Sequence, residues 1–141
     1  MTRTSGSFAA RLCAFADIRS LLEEFGRSAE LGPEDCLRLT LIVEELFTNT
    51  VRHGHGGDCD APVDVTLAAE ATQVALTYQD SAPQYDPLAA ARRADLSLPL
   101  ETRAVGGLGM LLTVAMSLQA SYSYVDGRNR VELRLARARS S

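Results

Sequence analysis

Glu44-Glu45-Leu46-Phe47-Thr48-Asn49-Thr50-Val51-Arg52-His53-Gly54 closes the longest helical pattern in the sequence. Upstream of it, Pro33 suits a first helical turn, where no amide hydrogen is needed, and Glu34 and Asp35 put negative charge at the positive end of the dipole. Cys36, Leu39, Val43, Leu46, Phe47 and Val51 then recur at three- and four-residue steps, which predicts an amphipathic helix from Pro33 to about His53. Arg38, Glu45, Asn49 and Arg52 form a separate, narrow polar stripe on it. Thr48, Asn49 and Thr50 are poor helix formers in succession. A solvated face would use Glu, Lys or Arg there, so the stripe asks for another explanation. Glu45 and Asn49, one turn apart, set a carboxylate beside an amide oxygen. The amide oxygen is a hard ligand suited to Mg²⁺, and the carboxylate can orient or deprotonate an incoming hydroxyl.

Outward from this helix the pattern changes period. On its N-terminal side, Phe15, Ile18, Leu21, Leu22 and Phe25 fall at helical spacing, with Gly26 near the end. Residues 1–8 are small and polar, and an edge strand is expected only around residues 7–12. On the C-terminal side, Val63, Val65 and Leu67 alternate, then Val74, Leu76 and Tyr78, with Glu70-Ala71-Thr72 as the turn of a hairpin. Residues 81–105, rich in Pro, Ala and Asp, read as a long loop with a short helical segment at residues 88–93. Gly106-Gly107-Leu108-Gly109 leads into an apolar helix over residues 110–118. A second hairpin follows, with Asp126-Gly127 as its turn and Val131, Leu133 and Leu135 alternating with charged residues. This order predicts one α+β domain over residues 1–141, a two-layer α/β sandwich with a mixed, mostly antiparallel sheet and helices on one face.

Composition narrows the chemistry. The chain has 141 residues, 46% hydrophobic and 23% charged, which is globular composition with enough length for a core. All 14 basic residues are Arg. Without Lys there is no P-loop and no Schiff-base or protein-kinase-type lysine. A net charge of −4 argues against direct nucleic-acid binding. No apolar run approaches the roughly 20 residues of a membrane span, and no signal core opens the chain, so a cytoplasmic protein away from membranes is expected. Cys13, Cys36 and Cys59 form no Cys-x-x-Cys pair and read as reduced thiols. The run His53-Gly-His55-Gly-Gly-Asp58-Cys59-Asp60 matches no zinc-ligand spacing, and no zinc is expected there.

Two further segments gain meaning in company. Asp80, at a strand end, begins Asp80-Ser-Ala-Pro-Gln-Tyr-Asp86-Pro87, and its carboxylate can accept the exocyclic amine of adenine. Gly106-Gly107-Leu108-Gly109 before a helix offers free N–H groups and a positive dipole end to an anion, with Arg103 upstream able to add a charged contact.

In this order, the Glu44–Gly54 stretch resembles the N box of the GHKL (Bergerat-fold, histidine kinase-like) ATPases. Asp80-Ser-Ala-Pro-Gln-Tyr-Asp-Pro87 resembles their first glycine box, and Gly106-Gly107-Leu108-Gly109-Met110 their second. The similarity is to the anti-sigma-factor serine/threonine kinase branch. Tyr124-Val-Asp-Gly-Arg-Asn-Arg-Val131 resembles that branch's last hairpin, and the likeness covers about residues 8–136. The resemblance implies a Bergerat sandwich binding ATP and Mg²⁺. Glu45 would be the base or orienting carboxylate, Asn49 the Mg²⁺ ligand and Asp80 the adenine acceptor. Ala82, Arg103, Gly106, Gly107, Leu108 and Gly109 would complete the nucleotide site. It further implies phosphorylation of a Ser or Thr on a small antagonist (anti-anti-sigma) protein, sequestration of a sigma factor, and a homodimer. One departure stands out: the first box reads Asp80-Ser-Ala82 where the family has Asp-x-Gly. Ala tolerates positive φ poorly and adds a methyl near the base. The departure reads as tuned nucleotide affinity. The alternative is a non-catalytic module of the same fold that only binds a partner, with or without nucleotide.

Overall fold

The computed structural model describes residues 2–89 and 107–138. Strand β1 (Thr2–Ala9) and a short 3-10 turn (Leu12–Ala14) lead into helices α1 (Phe15–Ser28) and α2 (Pro33–Asn49). Helix α2 runs on as a wider π turn (Thr50–Gly54). Strands β2 (Pro62–Ala69) and β3 (Gln73–Asp80) follow, then helix α3 (Gly107–Met116) and strands β4 (Ser117–Val125) and β5 (Arg128–Ala136). The strands form one sheet in the order β1-β2-β3-β5-β4. Each of its pairings is antiparallel, so the expected mostly antiparallel sheet is wholly so among the described residues.

Alternation places one face of this sheet in the core. Val63, Val65 and Leu67 of β2, Val74, Leu76 and Tyr78 of β3, and Val131, Leu133 and Leu135 of β5 are all buried. Against them lie Ile18, Leu22 and Phe25 of α1 and Leu39, Ile42, Val43, Leu46 and Phe47 of α2. The rings of Phe15 and Phe47 pack at a centroid distance of 6.0 Å between the two helices. Two layers around one core result, the α+β sandwich that periodicity predicts.

Three boundaries differ from the sequence expectation. β1 spans Thr2–Ala9 rather than residues 7–12, because its polar residues are held by backbone pairing along β2, from Thr2 opposite Ala69 to Ala9 opposite Pro62. Apolar alternation cannot signal such a strand. Helix α3 ends at Met116 rather than 118: Ser117 is already paired with Leu135, with a bulge before Gln119. The α-helical part of α2 stops at Asn49, and the π turn carries the chain to Gly54. The segment expected at residues 88–93 lies largely outside the described residues.

The connection after the π turn is tied down by its acids. Asp58 accepts the Leu12 N–H (2.9 Å) and Asp60 pairs with Arg11 (2.7 Å). The three cysteines are free thiols.

The topology has one consequence for function. The chain leaves β3 at Asp80, passes through α3 to the edge strand β4, and returns through β5 between them. Asp80 and Asn129, 49 residues apart, become direct cross-strand partners.

Candidate nucleotide site

Asp80 is the last residue of β3 and is 2% exposed. A buried carboxylate needs donors on both oxygens. Asp80 Oδ1 accepts Asn129 Nδ2–H (2.9 Å) and the Ala82 N–H (3.1 Å). Oδ2 accepts the Thr50 hydroxyl (2.8 Å) and the Tyr85 hydroxyl (3.3 Å). Thr50 stands at the start of the π turn and lies 2.7 Å from the Tyr78 hydroxyl. Thr50 has a single hydroxyl proton, for which the Leu46 carbonyl (3.0 Å) competes with Asp80, and when it donates to either the Tyr78 hydroxyl donates to Thr50. Burial raises the pKa of both Tyr78 and Tyr85, and the Asp80 carboxylate raises both further, so the two phenols stay protonated as donors.

Asn129 organises the loop after β3. Its Nδ2 also faces the carbonyls of Ala82 (3.1 Å) and Pro83 (3.2 Å). Its Oδ1 accepts the Tyr85 N–H (3.0 Å) and the Tyr122 hydroxyl (2.6 Å). Asp86 closes the next turn by accepting the Leu88 N–H at 2.8 Å.

Glu45 lies on α2, half-buried, where α2 meets the start of α3. A Cβ built at Gly109 would overlap the Glu45 carboxylate, so a side chain at position 109 would push that carboxylate aside. The N-terminal end of a helix favours negative charge. Burial raises the Glu45 pKa, the neighbouring Glu44 raises it further, and His53 offsets part of this. A groove of about 200 Å³ opens beside it, lined by Leu41, Ile42, Glu44, Glu45, Gly109 and Thr113. Asn49, one turn on from Glu45, is half-buried, and among the described residues its side chain makes no hydrogen bond. A half-buried amide with unused donors and acceptor is fit to take a hard cation or a phosphate.

A family model described as a histidine kinase-like ATPase domain matches residues 8–135. The chain belongs to that family. A histidine kinase-like ATPase domain implies ATP binding, and the fold agrees with solved relatives. The RsbU and RsbW domains of Rv1364c from Mycobacterium tuberculosis are 18% identical, with a TM-score of 0.64 over 98% of this chain and 34% of that one. This chain therefore spans about a third of that protein's length. The SiaB-SiaC complex from Pseudomonas aeruginosa gives 15% identity and a TM-score of 0.58, over 94% of this chain and 89% of that one. The catalytic domain of histidine kinase ThkA gives 13% and 0.53, over 99% and 100%. At such identities the likeness is one of fold. No match is found among curated proteins.

Within this histidine kinase-like ATPase domain, the residues singled out in the sequence fall into two groups. Glu45 and Gly109 meet across α2 and α3, with Gly107 and Leu108 in the first turn of α3. Asp80 and Ala82 lie in the buried cluster around Asn129. Arg103 and Gly106 lie outside the described residues. Ala82 is not at positive φ, so its side chain brings no backbone strain. It is 1% exposed, and its methyl is seated against Gly54: a Cβ built at Gly54 would come within 2.9 Å of the Ala82 Cβ. The missing glycine of the first box is thus matched by the absence of a side chain at position 54.

Sequence reasoning missed Thr50, Tyr85 and Asn129. Asn129 had a legible signal, since it takes the inward register that Val131, Leu133 and Leu135 continue. A polar residue on an apolar face asks for a buried partner. Tyr85 had none, because its partner is set by a loop without periodicity. No described helix is long and apolar enough to cross a membrane.

Proposed function

We propose that this domain is an anti-sigma-factor-type protein kinase, which transfers the γ-phosphate of ATP to a Ser or Thr of a small antagonist protein and also sequesters a sigma factor. The observation that carries the reading is the half-buried Glu45 carboxylate held against Gly109 at the phosphate-favouring end of α3. Asp80 would accept the adenine amine, and the N–H groups of Gly107, Leu108 and Gly109, with Arg103 and Gly106, would take phosphate oxygens. Mg²⁺, when bound, supplies charge neutralisation of the phosphates, and Asn49 would hold it through its amide oxygen. Glu45 would accept the proton of the incoming hydroxyl as its oxygen bonds to the γ-phosphorus and ADP leaves. A raised pKa makes Glu45 a stronger base for that step. The names of the SiaB-SiaC complex and of the RsbU and RsbW domains support a protein partner. A homodimer in the cytoplasm completes the proposal.

The test is calorimetric titration of the protein with ATP, with and without Mg²⁺, beside Asn49→Ala. Magnesium-dependent binding that is lost in the variant is expected. Binding that ignores both Mg²⁺ and Asn49 would remove the assigned site. A second reading, a partner-binding module without phosphotransfer, is favoured by one observation: the Asp80 carboxylate already has four donors. Partner capture by a variant unable to bind ATP, with no phosphotransfer from the wild type, would select it.

A further inference from the structure

Four donor groups lie within hydrogen-bond distance of Asp80, as many as a carboxylate has lone-pair directions, about four, so a ligand amine can reach it only by replacing one of them. Three of the four donors belong to the framework. Thr50 is fixed in the turn that ends α2, Asn129 in the register of β5, and the Ala82 N–H in the turn begun by Asp80 itself. The fourth, the Tyr85 hydroxyl, has the longest bond of the set at 3.3 Å and comes from the loop after β3. Its ring lies beside the carboxylate, over Gly54: a Cβ built there would stand 3.3 Å from Tyr85 Cε1.

We propose that Tyr85 is a built-in occupant of the nucleobase subsite, which a 6-aminopurine must displace to bind. The inference rests on reading Asp80 as the base acceptor. Tyr85 offers what such a base offers, a flat aromatic ring and one hydrogen-bond donor directed at Asp80 Oδ2. The exchange is one for one, so Asp80 keeps the same number of donors with Tyr85 in place and with a base in its place. The loop remains anchored when the Tyr85 ring swings out, because Asn129 Oδ1 accepts the Tyr85 backbone N–H and its Nδ2 stays within reach of the Ala82 and Pro83 carbonyls. Guanine presents a carbonyl where adenine has its amine and would meet the carboxylate acceptor to acceptor. Tyr85 therefore sets how tightly ATP binds without altering the preference for it over GTP.

The experiment is calorimetric titration of the full chain with Mg-ATP and Mg-GTP, comparing wild type, Tyr85→Phe, Tyr85→Ala and Asn49→Ala. Tyr85→Phe keeps the ring and removes only the competing donor. It is expected to bind ATP more tightly than wild type, on the order of tenfold, the ratio for one modest hydrogen bond to a charged group. Tyr85→Ala, which also clears the ring, is expected to bind at least as tightly, and GTP to stay weak throughout. A residue with a merely structural role would move affinity the other way. If wild type binds ATP through Asn49 while Tyr85→Phe binds equally or more weakly, the displacement idea falls and the nucleotide site stands. If no form binds ATP, the nucleotide reading fails and takes this inference with it.

Discussion

Replacing Asn129 by Ala removes the group that joins β3, β4, β5 and the loop after β3. Asn129 is 3% exposed, so water cannot fully replace what is lost. Its two amide hydrogens face three acceptors, Asp80 Oδ1 and the carbonyls of Ala82 and Pro83, and its oxygen accepts from Tyr85 N–H and the Tyr122 hydroxyl. At most four bonds are therefore made at full strength. The Tyr122 hydroxyl can turn to water, whereas the bond to the buried Asp80 carboxylate cannot be replaced and is worth about 1.5–3 kcal/mol. With a further ~1 kcal/mol for the remaining partners, Asn129→Ala should destabilise by about 3 kcal/mol. For a chain of this length that lowers Tm by roughly 10 °C. Urea unfolding followed by circular dichroism would read it as a lower midpoint at unchanged slope. Asn129→Asp sharpens the test, because it keeps the acceptor for Tyr85 and Tyr122 but sets a second carboxylate against Asp80. One carboxyl of that pair has its folded-state pKa raised, so the variant's deficit is large at neutral pH and shrinks as pH falls through that raised pKa. Stability within 0.5 kcal/mol of wild type for Asn129→Ala, about the scatter of ordinary surface changes, would refute this account of the cluster. So would a pH-independent deficit in Asn129→Asp.

Two further outcomes follow from the same geometry. Gly54 is not at positive φ, so Gly54→Ala strains no backbone, but its methyl would press on Ala82 Cβ at 2.9 Å. It should cost about 1–3 kcal/mol as overpacking, and much less in an Ala82→Gly background; a double-mutant cycle with no coupling would contradict the packing argument. Glu45→Gln should abolish phosphotransfer while stabilising the domain at neutral pH. The folded Glu45 has a raised pKa, so its contribution to stability is fully present below the ordinary carboxyl value of 4.5 and is lost as pH rises through the folded value. A neutral Gln removes that loss. Chemical unfolding at pH 4 and pH 7 checks the sign, and an unchanged difference between variant and wild type at the two values would overturn the assigned burial.

By itself the sequence determined the elements whose periodicity serves a single core. α1, α2 and the β2–β3 hairpin carry apolar residues at helical or alternating spacing, and β5 alternates after an Asp-Gly turn, so their identity and order were legible. The placing of Glu45 and Asn49 one turn apart on α2 was legible too, because a four-residue step on one helix is about one turn. β1 was legible only in part, since it is held by backbone bonds that leave no apolar pattern. The strand order was decided by tertiary structure alone. Insertion of β5 between β3 and β4 makes Asp80 and Asn129 neighbours, a relation no local spacing encodes. The same holds for the contact of Glu45 with Gly109 and for the seating of Ala82 against Gly54. Each joins residues from separate elements, and the size of a site, like the saturation of its carboxylate, depends on how closely those elements pack.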